Sequence, residues 1–285
     1  MTAEILPFQI DVPQPELDDL RDRLARTRWP DQLPGAGWDY GIPLEYVREL
    51  ASYWRDEYDW RVHEARLNGF DQFTTTIDGA QVHFLHVRSA SPDALPLIIT
   101  HGWPGSVVEF WDIVGPLTDP AAFGGSADDA FHLVVPSIPG YGFSGPTHDR
   151  GWDARRVARA WAELMSLLGY QRYGAQGGDW GSAVTTALGA LDAEHCAGIH
   201  ITLAMSARLY WESFGPERRT IHKVAVPTGV AVFPREIVTP VRRWMEGNFT
   251  NIRHWNEMPR GGHFAAFEQP ELFVGDVRAF FRTLR

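Results

Sequence analysis

Gln176-Gly177-Gly178-Asp179-Trp180-Gly181-Ser182 is the stretch of sequence that decides the fold. Residues 172–178 lead into it with the pattern of a buried strand, and residues 182–191 leave it with the pattern of a helix. Glycines on both sides of Asp179 allow the sharp, crowded turn that such a junction needs. A side chain at the centre of this turn is presented at the end of a strand, which makes Asp179 a candidate nucleophile. The alternative is a glycine-rich turn in which Asp179 only caps the helix.

An aspartate at the centre of the turn, where a serine is the common nucleophile, determines which reaction the turn supports. A carboxylate can attack an sp³ carbon and displace an oxygen or a halide, which leaves an alkyl ester on the enzyme. Hydrolysis of that ester then releases the product and restores the aspartate. The sequence therefore indicates substitution at carbon rather than acyl transfer.

Residues 72–285 alternate between strand and helix patterns, beginning with a hairpin around Asp78-Gly79. This alternation predicts an α/β core with a mostly parallel central sheet, helices on both faces and ligands at the carboxyl ends of the strands. Residues 1–71 have a different composition and form a separate N-terminal region. We expect helices at about 14–27 and 43–57 there, with irregular, Pro- and Gly-rich chain between them.

A second motif, His101-Gly102-Trp103-Pro104-Gly105, follows a short buried strand. A loop at this place supplies one backbone donor for an oxyanion, and the residue after the nucleophile supplies the other. The N–H groups of Trp103 and Trp180 are therefore the predicted donors. We expect His101 to be structural. An ordinary strand-to-helix turn is the alternative.

The predicted general base is His263, in Gly261-Gly262-His263-Phe264 before the C-terminal helix. It would activate the water that attacks the Asp179 ester. An acid must orient this histidine, and it should lie between the nucleophile and the histidine in the chain. Glu236, just beyond a predicted strand, fits that place, and Glu246 and Glu257 compete with it on position alone.

The composition excludes several classes of protein. The chain has 285 residues and a net charge of −10, which argues against a nucleic acid partner. A single cysteine, Cys196, allows no internal disulfide and no thiol-rich metal site. No apolar run of about 18 residues occurs, and no signal peptide is visible, so we expect a soluble cytoplasmic protein without a membrane span.

The ordered motifs together resemble the microsomal-type epoxide hydrolases of the α/β-hydrolase superfamily. The matching blocks include the N-terminal residues 7–32, HGWPGS, PGYGFSG, GGDWGS, SARLYWE, VPTGVAVFPRE and RGGHFAAFEQPE. The resemblance covers nearly the whole chain. It implies that Asp179 is the nucleophile, His263 the base and Glu236 the acid. It also implies that the backbone N–H groups of Trp103 and Trp180 bind the oxyanion. It also makes Trp103–Pro104 a candidate cis peptide.

The same resemblance implies that a tyrosine protonates the alkoxide, and Tyr210 matches one of the two that the family uses. Packing on the core is the alternative role for Tyr210. Family members insert a helical lid after the strand that follows the nucleophile helix. The span between Asp179 and Glu236 leaves room only for a minimal lid segment near 204–220, so the lid is expected to be largely absent.

These observations predict an enzyme that adds water to a small-molecule epoxide and gives a vicinal diol, with no cofactor and no metal. A haloalkane dehalogenase is a second hypothesis, because those enzymes also use an aspartate followed by tryptophan. A weakly active or non-catalytic homologue without a lid is a third. Apolar surface that a lid would cover also predicts a homo-oligomer.

Overall fold

The computed structural model describes residues 4–203 and 223–285. Contacts divide the chain into two compact units, of which one is Gln9–Gly69 and the other comprises the rest of the described chain. The secondary structure also changes near residue 70. It is helical and irregular before this residue, and strands alternate with helices after it.

The unit Gln9–Gly69 contains three helices. The first two confirm the predicted pair within a few residues, and the third was not predicted because it is short. Buried Glu64 ties this unit together by accepting hydrogen bonds from the Val12 N–H at 2.8 Å and the Arg61 guanidinium at 2.6 Å. The helices are α1 (Gln14–Ala25), α2 (Leu44–Asp56) and α3 (Trp60–Leu67).

The other unit is built on a nine-stranded sheet of the order β1-β2-β3-β5-β4-β6-β7-β8-β9. The pairs β1–β2, β2–β3 and β3–β5 are antiparallel, and the remaining pairs are parallel, which confirms the mostly parallel sheet. The strands are β1 (Leu6–Phe8), β2 (Gln72–Ile77), β3 (Ala80–Val87), β4 (Leu95–Thr100), β5 (Phe131–Pro136), β6 (Tyr173–Gly177), β7 (Cys196–Ile201), β8 (Thr228–Val232) and β9 (Ile252–Glu257).

Helices cover both faces of this sheet, as expected. One buried layer joins α5 and α6 to the sheet through Trp161, Leu164 and Leu188, and the other joins α4 and α9 through Ile113 and Phe281. The helices of this unit are α4 (Trp111–Thr118), α5 (Ala154–Leu167), α6 (Asp179–Leu191), α7 (Arg242–Met245), α8 (Ala265–Glu268) and α9 (Pro270–Arg282), together with short 3₁₀ turns at Val107–Phe110, Pro120–Phe123 and Ala127–Asp129.

The strand order places the site. Strand β4 lies between β5 and β6, so the strand order reverses at β4. Sheets of this kind bind ligands at the carboxyl ends of the strands beside such a reversal. Thr100, at the end of β4, pairs in register with Gly177, at the end of β6. The His101 loop and the Asp179 turn therefore emerge side by side.

A buried polar cluster holds the last helix against the sheet. Asp276 of α9 lies 2.9 Å from His200 Nε2 on β7, 2.8 Å from His254 Nε2 on β9 and 2.6 Å from Asn256 Nδ2. Burial alone would raise the pKa of the Asp276 carboxyl, but the hydrogen bonds from His200 and His254 outweigh it and hold the pKa well below its usual range. This cluster fixes β9, from which the chain runs to His263.

Candidate active site

The turn at Asp179 is tightly constrained by backbone contacts. Asp179 has φ +46, a left-handed conformation that a residue other than glycine adopts only when its surroundings impose it. A Cβ on Gly177 would lie 2.1 Å from the Gly181 carbonyl oxygen, and a Cβ on Gly181 would lie 2.0 Å from the Thr100 carbonyl oxygen. Both glycines are thus needed for α6 to start directly on β6 and against β4.

The loop after β4 contacts the carboxylate of Asp179 directly. The Trp103 N–H donates to Asp179 Oδ1 at 2.7 Å, which is the length of a charge-assisted hydrogen bond. The peptide bond Trp103–Pro104 is cis, as the resemblance suggested. Trp180 is next to Asp179 in the first turn of α6, and its role as the second backbone donor stays a prediction.

His263 lies between two carboxylates. Its Nε2 is 3.3 Å from Asp179 Oδ2, and its Nδ1 is 2.6 Å from Glu236 Oε1. Glu236 Oε1 also accepts from the Ile237 N–H at 2.7 Å, and the Glu236 side chain is fully buried. The Arg235 N–H donates to the Gly261 carbonyl at 3.1 Å, so the two loops that carry the pair are joined through their backbones.

Glu246 and Glu257, the other two candidates for the orienting acid, do not lie beside His263. Glu246 ends α7 and forms an exposed ion pair with Arg242 at 3.4 Å. Glu257 is exposed at the end of β9. Of the three, Glu236 is the one that contacts His263.

His101 is buried, and both of its ring nitrogens have partners. Nε2 accepts from the Ile138 N–H at 3.1 Å, so Nδ1 carries the proton and donates to the Gly102 carbonyl at 3.0 Å. Burial also lowers the pKa of His101. This geometry fits the structural role that we expected for it. Tyr210 lies outside the described residues.

The structure adds one acidic group that sequence reasoning missed. Glu109 lies in the 3₁₀ turn after the His101 loop, with its carboxyl against the α-carbon of Gly105. Burial and the charge of Asp179 raise its pKa to about 7. A single acid inside the apolar run Val107-Val108-Glu109-Phe110-Trp111 was the available signal.

The arrangement is that of an α/β hydrolase with an aspartate at the nucleophile turn, and residues 96–273 match the family model "alpha/beta hydrolase fold". Residues 5–110 match the model "Epoxide hydrolase N terminus". A protein of Stigmatella aurantiaca named "Putative epoxide hydrolase" is 39% identical, and the alignment covers 99% of this chain and 86% of the relative. The chain belongs to the epoxide hydrolase family.

Solved structures agree with this assignment. The epoxide hydrolase of Aspergillus niger has a TM-score of 0.87 and 26% identity, over 99% of this chain and 97% of the other. The juvenile hormone epoxide hydrolase of Bombyx mori has a TM-score of 0.90, and at 23% identity over 99% of this chain and 95% of the other it supports the fold alone.

Among the described residues, no helix is long and apolar enough to cross a membrane. Within the same part of the chain, no group of three or more His, Cys, Asp or Glu side chains is placed to hold a metal ion.

The crowding at Gly181 predicts a measurable stability difference. Gly181→Ala should destabilise the fold by about 1–3 kcal/mol, because its methyl group meets backbone rather than a movable side chain. Gly275→Ala is the matched control, since a Cβ at this position in α9 meets nothing within 4 Å. It should stabilise by up to about 1 kcal/mol through helix propensity. Urea unfolding measures both, and equal effects would contradict the packing described for the turn.

Proposed function

We propose that this chain converts an epoxide to a vicinal diol through a covalent ester on Asp179. The observation that carries the proposal is the geometry of one carboxylate. Its Oδ1 is held by the Trp103 N–H, and its Oδ2 faces His263, which is itself paired with buried Glu236. This arrangement provides a nucleophile, a base and a charge that orients the base.

In the first step, Asp179 Oδ2 attacks a ring carbon of the epoxide, since Oδ1 is engaged by Trp103. A carbon–oxygen ester bond forms while the ring carbon–oxygen bond breaks, and the electron pair moves to the departing oxygen. That alkoxide needs a proton, and Tyr210 is the donor that the family resemblance implies. Trp103 and Trp180 are exposed, and in our proposal their indole rings provide apolar surface for the substrate.

In the second step, His263 Nε2 takes a proton from water, and the hydroxide adds to the carbonyl carbon of the ester. Negative charge develops on Oδ1, where the Trp103 N–H, and in our proposal the Trp180 N–H, stabilise it. Glu236 stabilises the imidazolium. The tetrahedral intermediate then collapses, the diol leaves with the proton from His263, and one oxygen from water stays in Asp179. The proton left on the Asp179 carboxyl restores the tyrosine that protonated the alkoxide.

We further propose that the lid is minimal and that turnover is reduced as a result. The alignment with the Stigmatella relative runs over 377 positions, whereas this chain has 285 residues, so the relative has many positions without a counterpart here. Only residues 202–227 separate β7 from β8. An open site gives bulk water access to the reacting groups and weakens the electrostatic interactions that a closed site would strengthen.

The two steps can be separated by removing the base. His263→Gln should still be alkylated by styrene oxide, because Asp179 is intact. It should hydrolyse the ester about 10²–10⁴-fold more slowly, because it lacks the base. Intact-protein mass spectrometry should then show one added epoxide mass, and none in Asp179→Asn.

His195→Gln is the matched control, because His195 is a partly exposed histidine whose carboxylate partner is Asp192 rather than a residue of the site. It should turn over as the wild type does. Diol formation that persists in Asp179→Ala would contradict the proposed mechanism.

Self-association stays a prediction that the structure supports through its exposed apolar side chains. In the unit Gln9–Gly69, no residue of α1 or α2 is buried, and Trp38, Tyr40 and Leu50 are exposed. Trp103 and Ile237 are exposed in the other unit. Light scattering on a sizing column should give masses above the 32.1 kDa of one chain, rising with concentration. A constant mass of one chain would contradict it.

A further inference from the structure

Glu109 is a buried acid that the mechanism above does not use. Its backbone N–H donates to the Ser106 carbonyl at 3.1 Å in a 3₁₀ turn that the Ser106 side chain caps. This turn folds the Glu109 side chain back over the loop 102–106. A Cβ on Gly105 would lie 1.5 Å from Glu109 Oε1, so the carboxyl occupies the space that any other residue at position 105 would fill.

The carboxyl of Glu109 holds the same loop that contacts the nucleophile. The backbone N–H groups of Gly102 and Ser106, at the two ends of the loop, face this carboxyl closely enough to lower its pKa. Between them, the Trp103 N–H points to Asp179 Oδ1. Gly102 itself is pressed against Asp179, since a Cβ there would lie 2.3 Å from Oδ1. A displacement of the loop would therefore move the donor away from the carboxylate.

We propose that Glu109 is a positioning residue for ester hydrolysis, whose carboxyl packs against the loop 102–106 and aims the Trp103 N–H at Asp179 Oδ1. This inference rests on the proposed function and adds a residue and a pH dependence to it. Glu109 contacts no reacting atom and acts through Trp103.

The surroundings of Glu109 favour the uncharged form of its carboxyl. Burial and the negative charge of Asp179 raise its pKa to about 7, and His263 with the N–H groups of Gly102 and Ser106 opposes that rise only in part. Glu109 Oε1 is buried without a hydrogen-bond partner in the described part of the chain, which disfavours the charged form. Helix α8 also packs against the 3₁₀ turn of Glu109, and the carboxylate of its Glu268 accepts a hydrogen bond from the Phe264 N–H at 3.0 Å.

Ionisation of the Glu109 carboxyl should affect the rates of the two steps differently. Alkylation consumes the negative charge of Asp179, so ionisation of Glu109 above about pH 7 does not slow it. Hydrolysis creates negative charge on Asp179 Oδ1, and a second anion behind the loop opposes that charge. The ester carries no charge at Asp179, so in this state only burial raises the pKa of Glu109. Hydrolysis should therefore weaken as Glu109 ionises at a pH below about 7, in addition to any change that His263 causes.

Single-turnover experiments with styrene oxide between about pH 5 and 9.5 test the inference, with ester formation and decay followed by quenched-flow mass spectrometry. In the wild type, hydrolysis should fall about tenfold from its maximum toward high pH, as expected for one like charge nearby, while alkylation should not fall. Glu109→Gln keeps an acceptor for the loop and cannot ionise, so its alkaline decline should disappear. Glu109→Ala should hydrolyse more slowly at every pH, about 10²-fold, as for a lost oxyanion donor.

Glu257→Gln, an exposed acid at the end of β9, is the control and should keep the wild-type profile. The alkylation rate of each variant reports whether its site is intact. An alkaline decline that persists in Glu109→Gln would overturn the inference alone. A wild type that forms no ester at all would overturn the proposed function, and the inference with it.

Discussion

The contact between the start of α6 and the end of β4 is the constraint on which the rest of the site depends. Gly181 packs against the Thr100 carbonyl so closely that no side chain fits between them. This contact brings the turn of Asp179 beside the loop of Trp103 and allows the hydrogen bond of 2.7 Å between them. The strained φ of Asp179 is maintained by that packing, and it places the carboxylate between the Trp103 N–H and His263.

Two carboxyl groups lie against the imidazole of His263, and a third lies against the loop 102–106. The surroundings of the three groups differ, and each suits a different role. Asp179 is partly exposed and satisfied by a backbone N–H, which suits a nucleophile. Glu236 is fully buried and lies 2.6 Å from His263, which suits an orienting charge. Burial and the charge of Asp179 raise the pKa of Glu109 to about 7, which favours the uncharged form of a carboxyl that lies behind the loop of Trp103.

The sequence predicts those features that depend on local pattern. The parallel sheet, the helices α1 and α2 and the turn at Asp179 all follow from periodicity and from glycine spacing. Strand β1 was not predicted, because three residues that include Pro7 form a strand only by pairing with β2.

The residues of the site also differ in how far the sequence predicts them. The order of Asp179, Glu236 and His263 along the chain was visible in the motifs, whereas the choice of Glu236 over Glu246 by contact needed the pairing of two distant loops. The acid inside an apolar run was visible at Glu109, but its raised pKa could not be predicted, since that depends on burial and on Asp179, which is distant in sequence.

The origin of the oxygen atoms in Asp179 tests the central claim most directly. Wild-type protein should be turned over repeatedly with styrene oxide in ¹⁸O-water, and the peptide that carries Asp179 should then be weighed by mass spectrometry. Hydrolysis of an Asp179 ester by attack on its carbonyl carbon predicts that the carboxylate becomes labelled with ¹⁸O. A diol that forms over many turnovers while Asp179 stays unlabelled would contradict the account, because water would then attack the epoxide directly.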